Sequence, residues 1–365
     1  MNSPDIAETI QRALTAAGLH PSHRPGGVDV HGVIADALSA AGLAPGASAG
    51  AWFRRPQAQE DAAVPASGRD APGRFIWQQH SSPRGSRRYR LYVPAAAETG
   101  RRLPCLMMLH GCKQDPDDFA IGTRMNALAE RHGFYVVYPE QTRRANGSNC
   151  WNWFEPTQQH PQGEEPGVLA AIISDVAATH AVDLDKVYVA GLSAGAAMAV
   201  ILGQTHPEVF AAVGAHSGLP KGAAHDIPSA FAAMQSRSTS RAHATPGRAV
   251  RTMVIHGDAD PTVNILNGAT IAGQAVAAHE QSGARLQRLP ATTFERGGRR
   301  CTVAVVCDPL GHPLVEEWVI HGGGHAWTGG DPSGSFVDRS GPDASAELVR
   351  FFLGADAAIA IPQAS

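Results

Sequence analysis

The sequence predicts an α/β fold in which a mostly parallel central sheet is flanked by helices. From residue 88 onward, short β-like runs alternate with stretches of helical periodicity. Several of the runs are apolar at nearly every position, as expected for strands that are covered on both faces of a parallel sheet. Strand and helix signals that alternate in this way indicate a doubly wound α/β domain.

The predicted strands and helices follow each other in one regular order. Strands are expected at residues 88–93, 103–110, 134–139, 186–192, 211–215 and 252–256. Helices are expected at residues 125–132, 168–180, 194–205 and 266–281. Two later runs, 300–307 and 314–321, flank the turn-forming segment 308–312, and we expect them to form a hairpin that closes one edge of the sheet. A last helix is expected near residues 343–352, before Gly354.

The N-terminal part contains a short internal repeat. Residues 10–19 recur as residues 34–43, and each copy is followed by one residue and a proline. Apolar residues four apart, a glycine near the end and the proline beyond it predict two small amphipathic helices. The pair is expected to pack on itself or on the main domain, or to dock on a partner or an apolar surface. The predicted organisation is a helical pair at 1–43, a flexible linker at 44–73, the main α/β domain at 74–354 and a tail at 355–365.

Composition and charge argue against several classes of protein. A net charge of −3 and a charged fraction of 17% leave no broad basic surface, so nucleic acid is not an expected partner. The longest apolar runs are far shorter than the roughly 18 residues of a membrane-spanning helix, so no transmembrane segment is predicted. The first residues lack the basic and apolar regions of a secretory signal, and five cysteines are too few for a disulfide scaffold.

A nucleophile motif lies where a predicted strand meets a predicted helix. The apolar run at 187–190 leads directly into G-L-S-A-G at 191–195, and a helical run of small residues begins at once. A nucleophile elbow requires this strand, sharp turn and helix, because the turn lifts the serine hydroxyl above the sheet and small neighbours allow strand and helix to approach. We expect Ser193 to be the nucleophile of a serine hydrolase of the α/β-hydrolase type. The alternative is an ordinary small-residue turn, since G-x-S-x-G alone is a weak motif.

A serine nucleophile needs a histidine as base and an acid that orients the histidine, and in this fold they follow in the order acid, histidine. One predicted strand ends in H-G-D-A-D, where Asp258 and Asp260 compete. Asp260 is preferred because the acid usually lies several residues past the strand end, and Asp258 would then stabilise the turn. The next long strand leads through three glycines to His325, the expected base, whereas His321 is expected to be a framework residue. No zinc site is predicted, because a third ligand is not spaced near these histidines.

The tetrahedral intermediate of acyl transfer needs two backbone N–H donors. One is expected from Ala194, the residue after the nucleophile, and the other from the loop after an early strand. That strand delivers His110, Gly111 and Cys112, so the N–H of Cys112 is the expected second donor.

Short motifs that surround these residues are spread over residues 88–353. They are L-H-G-C-K-Q (109–114), G-T-R-M-N (122–126), Y-P-E-Q (138–141), C-W-N-W-F (150–154), G-L-S-A-G (191–195), H-S-G (216–218), H-G-D-A-D (256–260) and G-H-A-W (324–327). Together they resemble the polyhydroxybutyrate depolymerase family of esterases, a branch of the α/β-hydrolases related to bacterial feruloyl and acetylxylan esterases. The resemblance implies that Ser193, Asp260 and His325 form the triad, with Cys112 and Ala194 as oxyanion donors.

The resemblance also implies a disulfide between Cys112 and Cys150. It implies that the segment of Trp151 and Trp153 lines the substrate cleft, and Trp327 is expected to contact substrate as well. The expected activity is hydrolysis of short-chain hydroxyalkanoate polyester or oligomer esters, without cofactor or metal.

Several alternatives to this predicted function remain. They are a feruloyl or acetylxylan esterase, an acyltransferase, and a non-catalytic protein that docks on polymer through residues 1–43. The family suggests an extracellular location, whereas the missing signal pattern suggests a cytoplasmic one.

Overall fold

The computed structural model of the protein describes residues 73–235 and 249–354. The predicted helical pair at 1–43, the linker up to residue 72 and the tail at 355–365 lie outside the described residues. Within the described part, no helix combines the length and the apolar character that crossing a membrane requires.

One large sheet forms the centre of the molecule, and eleven strands of the described residues build it. Its strands are β1 Arg74–Ser82, β2 Gly85–Val93, β3 Leu103–Leu109, β4 Tyr135–Pro139, β5 Val182–Leu192, β6 Ala212–His216, β7 Arg251–Gly257, β8 Gln287–Arg288, β9 Thr292–Arg296, β10 Arg299–Cys307 and β11 Pro313–Ile320. The order is β1-β2-β4-β3-β5-β6-β7-β11-β10-β8, and β9 also pairs with β10. In this order the six central strands, β4-β3-β5-β6-β7-β11, run parallel to one another. The strands on either side of them pair antiparallel. A separate pair consists of β12 Trp327–Thr328 and β13 Val337–Asp338.

Helices cover both faces of this sheet. They are α1 Pro116–Thr123, α2 Met125–His132, α3 Glu164–Thr179, α4 Ala194–Thr205, α5 Ile227–Met234, α6 Leu266–Gln281 and α7 Ala344–Leu353. Side chains of α3, α4, α5 and α6 belong to one apolar cluster, and those of α1, α2 and α7 belong to the other. The predicted mostly parallel sheet with helices on both faces is confirmed.

The apolar sequence of the central strands explains their position. All five residues of β4 and of β6 are buried, and in β3 only one of the seven is not. Strands of this composition are stable only when helices cover both faces, since their side chains alternate between the two sides. The core therefore lies along β3 to β7, and Cys112, Ser193 and Asp260 follow strands of this region.

The predicted bounds of α2, α4 and α6 agree with the structure. Sequence reasoning missed β1, α1 and α5. The two helices nevertheless carry start signals, because Asp115 accepts a hydrogen bond from the N–H of Asp118 and Asp226 forms a capping box with Ser229. Both helices have only eight residues, so apolar periodicity is a weaker signal in them than in the long helices α4 and α6.

The predicted C-terminal hairpin is present, but it does not close the sheet. β10 and β11 pair antiparallel, and β11 joins the parallel part by pairing with β7. The far side of β10 is occupied by β8 and β9. These strands are short, polar and largely exposed, so they carry almost no apolar signal.

Candidate active site

Ser193 lies in the sharp turn between β5 and α4. Its backbone has φ 57° and ψ −118°, a combination that a non-glycine residue adopts only under strain. Its N–H donates to the carbonyl of His216 at 2.9 Å. A Cβ atom on Gly195 would lie 2.1 Å from the carbonyl oxygen of Leu109, and one on Gly191 would lie 2.5 Å from the Gly195 backbone. The two glycines are therefore needed for the close approach of strand and helix that the motif predicts.

Asp260 follows β7, and its carboxylate is fully buried. Oδ1 accepts hydrogen bonds from the N–H groups of Thr262 and Val263, each at 2.8 Å. Oδ2 accepts from Nδ1 of His325 at 2.7 Å. Burial by itself would raise the pKa of Asp260, but hydrogen bonds from His256, His325 and Val263 outweigh it and hold the pKa well below its usual range. Asp260 is therefore an ionised, hydrogen-bonded carboxylate.

His325 follows β11, and its side chain is 8% exposed. Because Nδ1 donates to Asp260, Nε2 is the ring nitrogen available to accept a proton. β5, β7 and β11 run parallel in one sheet, so Ser193, Asp260 and His325 all leave the sheet at its carboxyl edge. A histidine that is oriented by a carboxylate can accept a proton from a hydroxyl group within hydrogen-bond reach.

The two aspartates near the end of β7 have different partners. Oδ2 of Asp258 accepts from Nδ1 of His321 at 2.8 Å, and Oδ1 accepts from the N–H of Gly322 at 2.7 Å. Both side chains of this pair are partly exposed, unlike those of Asp260 and His325. Burial would raise the pKa of Asp258, but the hydrogen bonds from Gly322 and His321 lower it. Asp258 thus lies in a turn-stabilising position.

Two buried histidines at this edge were not assigned a role by sequence reasoning. Nε2 of His256 lies 2.8 Å from the carbonyl of Val263 and 3.5 Å from Oδ2 of Asp260. His216 stacks on Trp327, and burial lowers its pKa to about 3, so the ring is neutral. The only signal for them is their place in the H-G-D-A-D and H-S-G motifs, where each precedes a loop of the site.

Cys112 lies in the loop after β3, which is the expected oxyanion loop. Within residues 73–235 and 249–354, no group accepts a hydrogen bond from the backbone N–H of Cys112 or of Ala194. The neighbouring His110 is fully buried: Nδ1 donates to the carbonyl of Gly111 at 2.8 Å, and Nε2 accepts from the N–H of Gln141 at 3.1 Å. Burial lowers the pKa of His110 to about 4, so this ring is a neutral part of the framework. Neither proposed donor N–H is thus bonded to an acceptor within the described residues.

The predicted disulfide between Cys112 and Cys150 is confirmed, and it closes a loop with a sequence separation of 38 residues. The N–H of Lys113 donates to the carbonyl of Ser148 at 2.7 Å beside it. Nε1 of Trp151 donates to the carbonyl of His110 at 3.0 Å. The loop of Cys112 and the segment around Cys150 are therefore joined by the disulfide and by several hydrogen bonds.

A buried polar network is hydrogen-bonded to this junction. The side-chain amide of Gln141 donates to the carbonyl of Cys150 at 3.0 Å and to the carboxylate of Glu165. Glu165 also accepts from the backbone N–H of Asn152 at 2.9 Å. Burial raises the pKa of Glu165, although these hydrogen bonds oppose the rise. Sequence reasoning gave Gln141 no role beyond its place in the Y-P-E-Q motif and gave Glu165 none, because their contacts to the segment around Cys150 are tertiary.

The three tryptophans expected to contact substrate are buried. Trp151, Trp153 and Trp327 are 0%, 6% and 1% exposed. The indole N–H of Trp327 donates to Ser345 Oγ at 3.1 Å. Trp151 and Trp327 thus pack into the framework beside the site loops, and their expected contact with substrate stays a prediction. Sequence position placed them beside the correct loops, but it could not reveal which way the rings point.

Metal-binding potential is low in the described part of the chain. There, no group of three or more His, Cys, Asp or Glu side chains is arranged to hold a metal ion. The Asp and His side chains at the carboxyl edge are instead hydrogen-bonded to one another and to backbone groups.

The sequence of this chain is similar to those of several known proteins. A family model described as Esterase PHB depolymerase matches residues 87–304. Poly(3-hydroxyalkanoate) depolymerase C of Paucimonas lemoignei is 33% identical over 235 residues, which cover 61% of this chain and 54% of that protein. Feruloyl esterase B of Neurospora crassa is 32% identical over 203 residues, which cover 50% of this chain and 66% of that protein. The chain thus spans between half and two thirds of the length of these relatives.

A solved structure gives the fold. The acetyl xylan esterase from Aspergillus awamori aligns with a TM-score of 0.55 at 20% identity, and the alignment covers 68% of this chain and 94% of that chain. A likeness at this identity concerns the fold alone. The predicted α/β-hydrolase fold is confirmed by it and by the sheet described above.

Proposed function

The chain belongs to the Esterase PHB depolymerase family, and on that premise we propose that it is a serine carboxylic-ester hydrolase acting through an acyl-enzyme on Ser193. The observation that carries the proposal is the hydrogen bond of 2.7 Å between the buried carboxylate of Asp260 and Nδ1 of His325. It leaves Nε2 to serve as base at the edge where the strained elbow presents Ser193.

In the proposed first half-reaction, the hydroxyl of Ser193 attacks the carbonyl carbon of the ester. Its proton passes to Nε2 of His325, and the positive imidazolium is stabilised by the ionised Asp260. The tetrahedral intermediate then collapses: the carbon–oxygen bond to the alcohol breaks, and His325 returns the proton to the departing alkoxide. The products of this half-reaction are the free alcohol and an ester of Ser193.

In the second half-reaction, water takes the place of the alcohol. His325 accepts a proton from the attacking water, and the second tetrahedral intermediate collapses to the carboxylic acid with the proton returned to Ser193. In both intermediates the negative oxygen is bound by the N–H groups of Cys112 and Ala194. A donor of this kind contributes about a hundredfold to a thousandfold in rate.

We propose short-chain hydroxyalkanoate esters as the substrate class. The family description and the similarity to the Paucimonas depolymerase support this class. The similarity to a feruloyl esterase supports a feruloyl ester as the second candidate. Both classes fit the same acyl-enzyme chemistry, so the choice depends on the acyl and alcohol groups that the cleft admits.

A substrate panel tests the proposal. Purified protein is offered a hydroxybutyrate trimer, methyl ferulate and an acetylated xylan oligomer, and kcat/KM is compared. We expect the trimer to be cleaved at least tenfold more efficiently than the other two. Preference for the ferulate or the xylan ester would refute the substrate class, and no cleavage together with no labelling of Ser193 by a fluorophosphonate would refute the enzyme activity.

The acyl-enzyme could also pass its acyl group to an alcohol in place of water, which would make the protein an acyltransferase. An acyltransferase would release an ester in place of the acid when alcohol is added, so the product ratio with added alcohol decides between transfer and hydrolysis.

Docking on polymer through residues 1–43 predicts that removing residues 1–72 lowers activity on polymer particles but not on a small soluble ester. Equal losses on both substrates would contradict docking.

A further inference from the structure

The loop that carries His325 is held by unusually few side chains of its own. It contains three consecutive glycines at 322–324, and Gly322 has a φ of 70°. Glycine loses more conformational freedom on folding than other residues and has no side chain to pack. A catalytic base needs to be held within about 0.5 Å of its productive position. The position of His325 therefore depends on contacts made to the backbone of this loop.

Two charged side chains bind the two backbone polar groups of Gly322. Its N–H donates to Oδ1 of Asp258 at 2.7 Å, and its carbonyl accepts from Nη1 of Arg299 at 2.8 Å. Each side chain has a second anchor. Oδ2 of Asp258 accepts from His321 at 2.8 Å, and Nη2 of Arg299 donates to Oδ2 of Asp338 at 2.6 Å. Hydrogen bonds to charged groups are about twice as strong as neutral ones, so the glycine loop is bound on both sides by strong partners.

Asp338 extends this arrangement to the other side of His325. Its carbonyl accepts from the N–H of Gly329 at 2.8 Å, and β13 pairs with β12, which begins two residues after His325. Arg299 thus connects the segment before His325 with the segment after it. Both connections consist of hydrogen bonds from Arg299 to a backbone carbonyl or a carboxylate. Neither involves the imidazole ring of His325.

We propose that Asp258 and Arg299 are positioning residues that fix His325 through Gly322. The inference rests on the proposed function, since it concerns the base of that reaction. A displacement of about 1 Å in a catalytic group can cost a hundredfold in rate. Loss of either side chain should lower kcat by about tenfold to a hundredfold. KM should stay within about twofold, because neither side chain is among the residues proposed to contact substrate.

Four variants separate positioning from general destabilisation. Asp258→Ala and Arg299→Met each remove the hydrogen bond to Gly322. Asp258→Asn keeps an oxygen that can accept from the N–H of Gly322, so it should recover most of the kcat that Asp258→Ala loses. Arg288→Met is the matched control, because Arg288 in the edge strand β8 forms an exposed ion pair with Glu280 at 3.0 Å. It should leave kcat at the wild-type value.

Two readouts are needed, both taken below the unfolding temperature of every variant. The first is kcat and KM on a soluble ester. The second requires no substrate: it is the downfield proton NMR signal of Nδ1–H of His325 bonded to Asp260, identified by its loss in His325→Ala. The signal should broaden or disappear in Asp258→Ala and Arg299→Met, and it should persist in Asp258→Asn and Arg288→Met.

The outcomes are distinguishable. An unchanged NMR signal in both Asp258→Ala and Arg299→Met would overturn the inference, as would a kcat equal to wild type in folded protein of either variant. An unreactive wild type whose NMR signal is lost in the two variants would refute the proposed function and leave the positioning role standing.

Discussion

Removing the disulfide between Cys112 and Cys150 should impair catalysis more than folding. The perturbation is the double change Cys112→Ala and Cys150→Ala, so that neither half of the bridge remains as an unpaired thiol. Neither cysteine belongs to a strand of the central sheet, and both lie in loops at its carboxyl edge. The N–H of Cys112, in contrast, is one of the two proposed oxyanion donors, so its exact direction matters to the reaction.

The size of both effects follows from the structure. The bridge has a sequence separation of 38 residues, for which the chain-entropy relation gives a loss of about 4 kcal/mol in the free energy of unfolding. In a domain of this size that corresponds to a fall of about 10 °C in Tm. A misplaced oxyanion donor costs about 3 kcal/mol of transition-state stabilisation, or about a hundredfold in kcat. The fold should be retained, because the bridge joins two loops and the strands of the central sheet pair with one another without it.

The assay compares kcat on a soluble ester with thermal unfolding while the bridge is reduced stepwise by dithiothreitol. Turnover should fall before the circular dichroism changes. Cys307→Ala is the control, because this free cysteine lies buried in β10 and its loss should lower Tm without lowering kcat. Peptide mapping without reduction that finds both thiols free in active enzyme would refute the reasoning, and so would a double variant with wild-type kcat.

The remaining predictions concern the proposed triad. Ser193→Ala should lose several orders of magnitude in kcat at an unchanged Tm, and residual activity above about a tenth of wild type would contradict its role. Asp260→Asn and His325→Ala should each lose about a thousandfold or more in kcat, whereas Asp258→Asn should lose far less; a reversed order of the two aspartates would make Asp258 the acid. Because the folded pKa of Asp260 lies below its unfolded value, its carboxylate stabilises the fold above about pH 4, and this contribution is lost as pH falls through the folded pKa. Urea unfolding between pH 5 and pH 2.5 should therefore show a smaller loss of stability in Asp260→Asn than in wild type.

The elbow could be predicted from sequence because its geometry is local. The turn needs small residues at fixed offsets from Ser193, and a Cβ atom at Gly191 or Gly195 would collide with backbone. The same holds for α4 and α6, whose predicted bounds agree with the structure. Features that depend on neighbours in sequence are thus accessible without knowledge of the fold.

Features that depend on distant parts of the chain were not accessible in the same way. Sequence offsets place Trp151 and Trp327 beside the site loops, whereas the near-complete burial of both side chains results from tertiary packing. β1 escaped prediction because most of its residues are polar or partly exposed, as is common at a sheet edge. Glu165 lies in α3 and reaches the segment around Cys150 only through tertiary contacts.

The pairing of the two aspartates with the two histidines follows from the register of β7 and β11. These parallel strands place Gly257 opposite Ile320, so the loops that follow leave the sheet at the same level. The first residue beyond each strand then meets its counterpart, which pairs Asp258 with His321 at 2.8 Å. On the longer loop, the glycines form a turn in which the N–H of Gly323 donates back to Ile320. This turn takes up two extra residues, so the third residue beyond β7 meets the fifth beyond β11. The spacing H-G-G-G-H therefore matches the spacing D-A-D across two neighbouring strands, a relation that neither segment reveals by itself.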